Sequence, residues 1–297
     1  MSVSAAGTGS GDADDAARPP PEEERPPGEQ GERREEESLL LHWVARGDGP
    51  PVVLLHGLYG SGGNLNRVTR HLSRRYRVLV PDLRNHGRSP HHPRMDYPAM
   101  AGDVVALLAA AGIEQAAVVG HSMGGKVAMT LALQQPQRVA ALVVGDIAPV
   151  AYEHSHGRLL AALQEVAVAT APSRQAVDAA LAERIADAQV RQFLLTNLVP
   201  RSGADGGYTW RIPLATLAAA VPEIESFPAC SGSYPGPTLF LYGDRSDYFV
   251  PQRDEPAVCR LFPRAQQHAL AGAGHWLHAE QPQAFNAALS DFLQRHW

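Results

Sequence analysis

The sequence predicts an α/β fold: a mostly parallel central sheet flanked by helices, with a helical block inserted between two late strands. Three observations predict it. Short apolar runs alternate with stretches of helical length and spacing. The alternation stops between Pro149 and Cys230, where helical patterns alone remain, and then resumes. A Gly-x-Ser-x-Gly turn joins one apolar run directly to a helical stretch.

The elements follow in order. Leu39–Val44 reads as a strand, Gly47-Asp48-Gly49 as a tight turn and Val52–Leu55 as the next strand. Arg77–Val80 is a short apolar run closed by Pro81-Asp82. Ala99–Ala111 has the length of an amphipathic helix, and Gly112 before Ile113 supplies a C-terminal cap. Ala116–Val119 is a strand, Lys126–Gln135 a helix ended by Pro136, and Val139–Val144 a strand. Arg158–Ala169, Arg174–Ala188 and Val190–Val199 read as helices with no buried strand among them. Thr238–Tyr242 and His268–Leu270 resume the sheet, and Pro282–Trp297 closes the chain as a helix. This organisation predicts a tail at 1–38, a core in two parts at 39–150 and 233–297, and a lid at 151–232.

The tail is set apart by composition. Residues 1–38 hold 11 acidic side chains against four arginines, and a proline-rich run spans Arg18–Pro27. With almost no large apolar residue before Leu39, such a segment cannot offset its ordering entropy, so it is expected to be disordered. The remaining body is near neutral, with 20 acids against 22 bases. No concentrated basic face is expected, and hence no nucleic-acid partner. The two cysteines, Cys230 and Cys259, are too few for a disulfide framework and are not spaced as a metal pair. No segment reaches the roughly 18 unbroken apolar residues of a membrane span, and the start lacks an apolar leader. The expectation is a soluble, cytoplasmic protein without metal or cofactor, of undetermined oligomeric state.

The chemistry centres on Val118-Val119-Gly120-His121-Ser122-Met123-Gly124-Gly125. A strand that feeds a helix through so sharp a turn strains the backbone at the serine, and small neighbours at Gly120 and Gly124 let it close. The turn lifts the Ser122 hydroxyl above the sheet, at a helix N-terminus that favours developing negative charge. Gly120 to Lys126 also fits the Gly-x-x-x-x-Gly-Lys of phosphate loops, but Val127 stands where that motif needs Ser or Thr for magnesium.

A second glycine loop, Leu54-Leu55-His56-Gly57-Leu58-Tyr59-Gly60, follows an early strand. The Leu58 N–H there and the Met123 N–H after the serine are the expected oxyanion donors. A base must take the serine proton. Of 13 histidines, His275 lies in the turn Ala271–Trp276 after the last strand, which suits the order Ser, acid, His. His278 is a second candidate, while His56, His86 and His121 sit inside other loops. For the acid, Asp146 follows one strand and Asp244 and Asp247 follow the next, and spacing alone does not choose between them.

Several segments together resemble the YbfF-type esterases, bacterial α/β hydrolases with mitochondrial relatives in animals. They are His56–Ser61, Asp82–Pro90 with its Arg84-Asn85-His86-Gly87, Met95–Ala101, Gly120–Lys126, Asp146-Ile147-Ala148-Pro149 and Gly272–Trp276. The resemblance runs from about residue 50 to 295. It implies the α/β-hydrolase fold and a serine hydrolase of short-to-medium acyl esters, with acyl thioesters as a further class. It also implies that the triad acid is Asp146. The chain departs from that family in reading Gly243-Asp244-Arg245-Ser246-Asp247, which keeps Asp244 and Asp247 as alternatives. Other functions compatible with the fold are a cofactor-free haloperoxidase, a C–C bond hydrolase, or a binding module that has lost catalysis.

Overall fold

The computed structural model describes residues 38–153, 156–201 and 206–297. The tail expected at 1–38 therefore falls, apart from Ser38, outside the described residues.

Along the chain run β1 (Trp43–Arg46), β2 (Pro51–Leu55), α1 (Asn66–Leu72), β3 (Arg77–Pro81), α2 (Tyr97–Ala110), β4 (Ala116–His121), α3 (Met123–Gln134) and β5 (Val139–Gly145). The inserted block holds α4 (His156–Glu165), α5 (Arg174–Ala182), α6 (Ala188–Leu195), β6 (Leu198–Pro200), β7 (Tyr208–Trp210), α7 (Leu214–Ala219) and α8 (Val221–Glu225). The core resumes with β8 (Thr238–Gly243), α9 (Pro251–Leu261), β9 (Ala265–Leu270), α10 (Leu277–Glu280) and α11 (Pro282–His296).

Seven strands form one sheet in the order β1-β3-β2-β4-β5-β8-β9, and every neighbouring pair is parallel except β1 with β3. This is the α/β-hydrolase fold. The central strands are buried on both faces, which is why they read as unbroken apolar runs. Their side chains alternate between two cores. Val53, Leu55, Val118, Leu142 and Val144 pack with α2, α3 and the inserted block, whereas Val52, Leu54, Val119, Ala141 and Val143 pack with α1 and α11.

Local chemistry accounts for several boundaries. Asp96 caps α2 by accepting the Ala99 N–H at 2.8 Å, and Gly112 beyond its end takes φ +68°. The inserted block differs from the reading as purely helical, because β6 and β7 pair antiparallel within it. Three residues per strand are too few to show a period in sequence. The first strand begins at Trp43 rather than Leu39: the Leu39 N–H donates to Asp103 Oδ1 and Leu41 is buried instead.

Candidate active site

The carboxyl ends of β2, β4, β5, β8 and β9 lead into the loops that carry the chemistry, the usual ligand edge of a parallel sheet. Ser122 sits between β4 and α3 with φ +53° and ψ −121°, a backbone conformation that a non-glycine residue adopts only under constraint. The constraint is visible in its neighbours. A Cβ on Gly120 would stand 2.1 Å from the Gly124 carbonyl oxygen, and one on Gly124 would stand 2.5 Å from that of Leu55. The two glycines let β4, α3 and the end of β2 approach closely enough to hold the turn.

Ser122 Oγ lies 3.0 Å from His275 Nε2, and His275 Nδ1 lies 2.8 Å from Asp146 Oδ2. The structure thus brings Ser122, His275 and Asp146 into one line. Asp146 is buried and takes a left-handed φ of +51° directly after β5. Its Oδ1 accepts the Gly243 N–H at 3.1 Å, and its Oδ2 also accepts from the Ser246 hydroxyl. Burial pushes its pKa up to about 7, against the downward pull of the Ser246 and Gly243 hydrogen bonds.

Asp244 and Asp247 are placed differently. The Asp244 carboxylate accepts the Gly272 N–H at 2.8 Å, bracing the loop before His275. Asp247 adds negative charge near Asp146, and its backbone carbonyl accepts from Arg253.

Met123 opens α3, where N–H groups lack an intrahelical acceptor. The Leu58 N–H donates to none of the described residues. Both residues line one small cavity with Ser122. The Leu58 loop is shaped from behind: the Tyr59 N–H donates to His86 Nε2 at 3.1 Å, with Tyr59 at φ +63°. His86 belongs to the Arg84–Gly87 segment, which is anchored by the fully buried Arg84 gripping Asp103 at 2.7 and 2.8 Å. His56 Nε2 accepts the Leu83 N–H at 2.9 Å. His121 Nε2 lies 2.7 Å from the His275 carbonyl oxygen, holding the histidine loop. Burial pushes the pKa of His86 and of His121 down to about 3. Neutral imidazoles can both donate and accept, as these backbone bonds require. His278 packs edge-on against His121 at a ring distance of 4.7 Å, one residue removed from the line.

A larger cavity of about 630 Å³ opens beside Ser122. His275 and Trp276 form one wall, and Leu159 of α4 with Val190, Phe193 and Leu194 of α6 form another. The Phe193 and Trp276 rings meet at 5.6 Å. This volume and apolar lining suit a small organic substrate.

The family model for the alpha/beta hydrolase fold matches residues 50–282. The chain belongs to the α/β-hydrolase family. A mouse relative of this α/β hydrolase, named sn-1-specific diacylglycerol lipase ABHD11, is 44% identical over 252 residues, 82% of this chain and 81% of the relative. Esterase YbfF of Escherichia coli K12 is 40% identical over 247 residues, 82% of this chain and 92% of its own. Among solved structures, a marine microorganism esterase matches with a TM-score of 0.82 at 36% identity, covering 86% of this chain and 100% of that one.

Two residues of this α/β hydrolase's site escape sequence reasoning. Ser246 bonds Asp146, and the Tyr248 ring stacks on His275 with centroids 3.7 Å apart and planes 20° from parallel. The signal for Ser246 is its place in the loop after β8, between the carboxylates of Asp244 and Asp247. Tyr248 carries no local signal at all. Among the described residues, no group of three His, Cys, Asp or Glu side chains is placed to hold a metal ion, and no helix is long and apolar enough to cross a membrane.

Proposed function

We propose that this α/β hydrolase cleaves carboxylic esters of short-to-medium acyl chain through an acyl-serine intermediate, with Ser122 as nucleophile, His275 as general base and Asp146 as orienting acid. The single observation that carries the reading is the hydrogen-bond line from Ser122 Oγ through both nitrogens of His275 to Asp146 Oδ2. Esterase and lipase names among its relatives support ester hydrolysis as the reaction class.

In this mechanism His275 Nε2 takes the Ser122 proton as Oγ attacks the ester carbonyl carbon. The carbonyl π electrons move onto oxygen, and the Leu58 and Met123 N–H groups hold that oxyanion. Collapse expels the alcohol, which leaves with the proton from His275. Water then attacks the acyl-serine by the same route, and the acid departs. Asp146 keeps Nδ1–H pointing at itself, so that Nε2 faces the serine, and its charge stabilises the imidazolium.

The block at 151–232 serves as a lid in this proposal, because α4 and α6 supply a wall of the larger cavity. Cys230 and Cys259 are free thiols, the ground on which a cytoplasmic location is proposed. Cell fractionation tests that location.

The deciding experiment measures hydrolysis of aryl esters from acetyl to dodecanoyl, with acyl-CoA as the thioester arm, alongside fluorophosphonate labelling. Turnover peaking at a short or medium chain, with the label on Ser122, is expected. Absence of both turnover and label overturns the proposal.

A further inference from the structure

Ser122 stands between two cavities of unlike character. His275 lines the larger one, of about 630 Å³. The smaller, of about 20 Å³, runs from Ser122, Leu58 and Met123 to Lys126 and Glu225. It has room for roughly one or two water-sized groups.

The far wall of the small cavity is polar, and most of its donors are already engaged. Lys126 Nζ donates to the Glu225 carbonyl at 3.1 Å and to the Ser226 carbonyl at 2.5 Å, and sits 4.7 Å from the centre of the Tyr152 ring. The Tyr97 hydroxyl donates to the Ile224 carbonyl. The Glu225 carboxylate is an acceptor on the same wall. Its Oε1 is buried and has no hydrogen-bond partner among the described residues. A buried acceptor without a donor is costly, so a group that donates to it gains a hydrogen bond to a charged acceptor.

We infer that Glu225 is a specificity-determining residue, whose Oε1 accepts a hydrogen bond from a hydroxyl on the ester arm that enters the small cavity. The inference rests on the ester-hydrolase reading above. A carboxylate needs a donor, which excludes an acceptor-only group such as a second carboxylate. A neutral hydroxyl brings no further charge into a wall that already holds both Lys126 and Glu225. The volume admits a hydroxyl beside the ester oxygen that the Leu58 and Met123 N–H groups hold in the proposed mechanism, and leaves bulkier parts to the larger cavity. The hydroxyl sits close to the scissile bond, because the cavity opens at Ser122 itself. It can belong to the alcohol arm, as in a partial ester of a polyol, or to the acyl arm, as in an ester of a hydroxy acid.

The test compares kcat/KM within matched pairs on one enzyme preparation. One pair is ethyl butyrate with 2-hydroxyethyl butyrate. The other is ethyl butyrate with ethyl 3-hydroxybutyrate. Active sites are titrated with a fluorophosphonate, so any unfolded fraction drops out of the ratio. The wild-type protein is expected to favour the hydroxylated ester of one pair by about tenfold or more, and that pair identifies the arm. Glu225→Met should bring the ratio to about one, since its thioether is a poor acceptor. Glu225→Gln, whose amide oxygen still accepts, should keep part of the preference and guards against a misfolded Met variant. Turnover of ethyl butyrate without preference in either pair refutes the subsite and leaves the ester reading standing, as does a wild-type ratio retained by Glu225→Met. Loss of all ester turnover and of the fluorophosphonate adduct in the wild-type protein overturns both.

Discussion

The Ser246 hydroxyl and the His275 imidazole both bond Oδ2 of Asp146. One carboxylate oxygen thus faces two partners, while its twin accepts the Gly243 N–H. Ser246 helps the ionised carboxylate against the burial that pushes its pKa up to about 7. In the proposed mechanism a protonated Asp146 no longer orients His275, so activity falls as pH drops below that range. The acid limb belongs to the Asp146–His275 pair rather than to either group alone.

Ser246→Ala should therefore move the acid limb of kcat/KM to higher pH, by roughly one unit, the worth of a hydrogen bond to a charged group. The loss of activity should be larger at pH 6.5 than at pH 8.5. Ser246→Thr, which keeps the hydroxyl, should restore the wild-type profile. A pH-independent loss would assign Ser246 to loop packing alone.

Asp146→Asn should impair kcat far more than Asp244→Asn or Asp247→Asn. An amide can donate where the carboxylate only accepts, which favours the wrong imidazole tautomer and removes the charge facing the imidazolium. In a serine protease triad the same change costs about 10⁴ in kcat. Asp244 braces Gly272 through one hydrogen bond, so its replacement should cost about 1 kcal/mol of stability and little chemistry. Rates of all three variants on one aryl ester decide the matter, and a crippled Asp247→Asn beside a near-normal Asp146→Asn would reverse the assignment.

Ser122→Ala should abolish ester turnover, by about 10⁶ in kcat on the precedent of other triads. Its melting temperature should stay near that of the wild-type protein, since among the described residues the hydroxyl hydrogen-bonds His275 alone. More than a tenth of wild-type activity in an uncontaminated preparation would remove Ser122 from the mechanism.

Stability should fall steeply as pH drops below about 6. Burial holds His86, His121 and His278 at a pKa of about 3, against roughly 6.5 in the unfolded chain. Between those values the unfolded state binds protons that the folded state does not, so each histidine stabilises the fold above its unfolded pKa and loses that contribution as pH falls. Denaturant midpoints from pH 8 to pH 4 should show the decline, and His278→Gln should flatten it. A midpoint unchanged across that range would count against the neutral buried imidazoles.

Much of this could be read from the sequence because it is written locally. The central strands are buried on both faces and so appear as apolar runs, and the Gly120–Gly124 turn carries its own steric reason. His275 was singled out by a glycine-rich turn after the last strand. Other elements carried weak local signals. The helix at Pro251–Leu261 contains two prolines and the polar run Gln252–Glu255, and the hairpin of β6 and β7 is too short for a period.

The carboxylate that meets His275 is the instructive case. Two strands, β5 and β8, lie side by side and both lead into aspartates, so linear spacing left Asp146, Asp244 and Asp247 on equal footing. The folded chain distinguishes them by backbone direction: the left-handed turn at Asp146 aims its carboxylate at His275, while Asp244 turns to Gly272. Ser246, Tyr248 and Glu225 likewise became visible only in three dimensions. The sequence alone determined the sheet, the elbow and the order of its chemical groups, because these depend on neighbours within a few residues. Tertiary structure decided which carboxylate meets the imidazole and what lines the cavities, because those pairings join groups about a hundred or more residues apart, whose approach is set by how strands and loops pack.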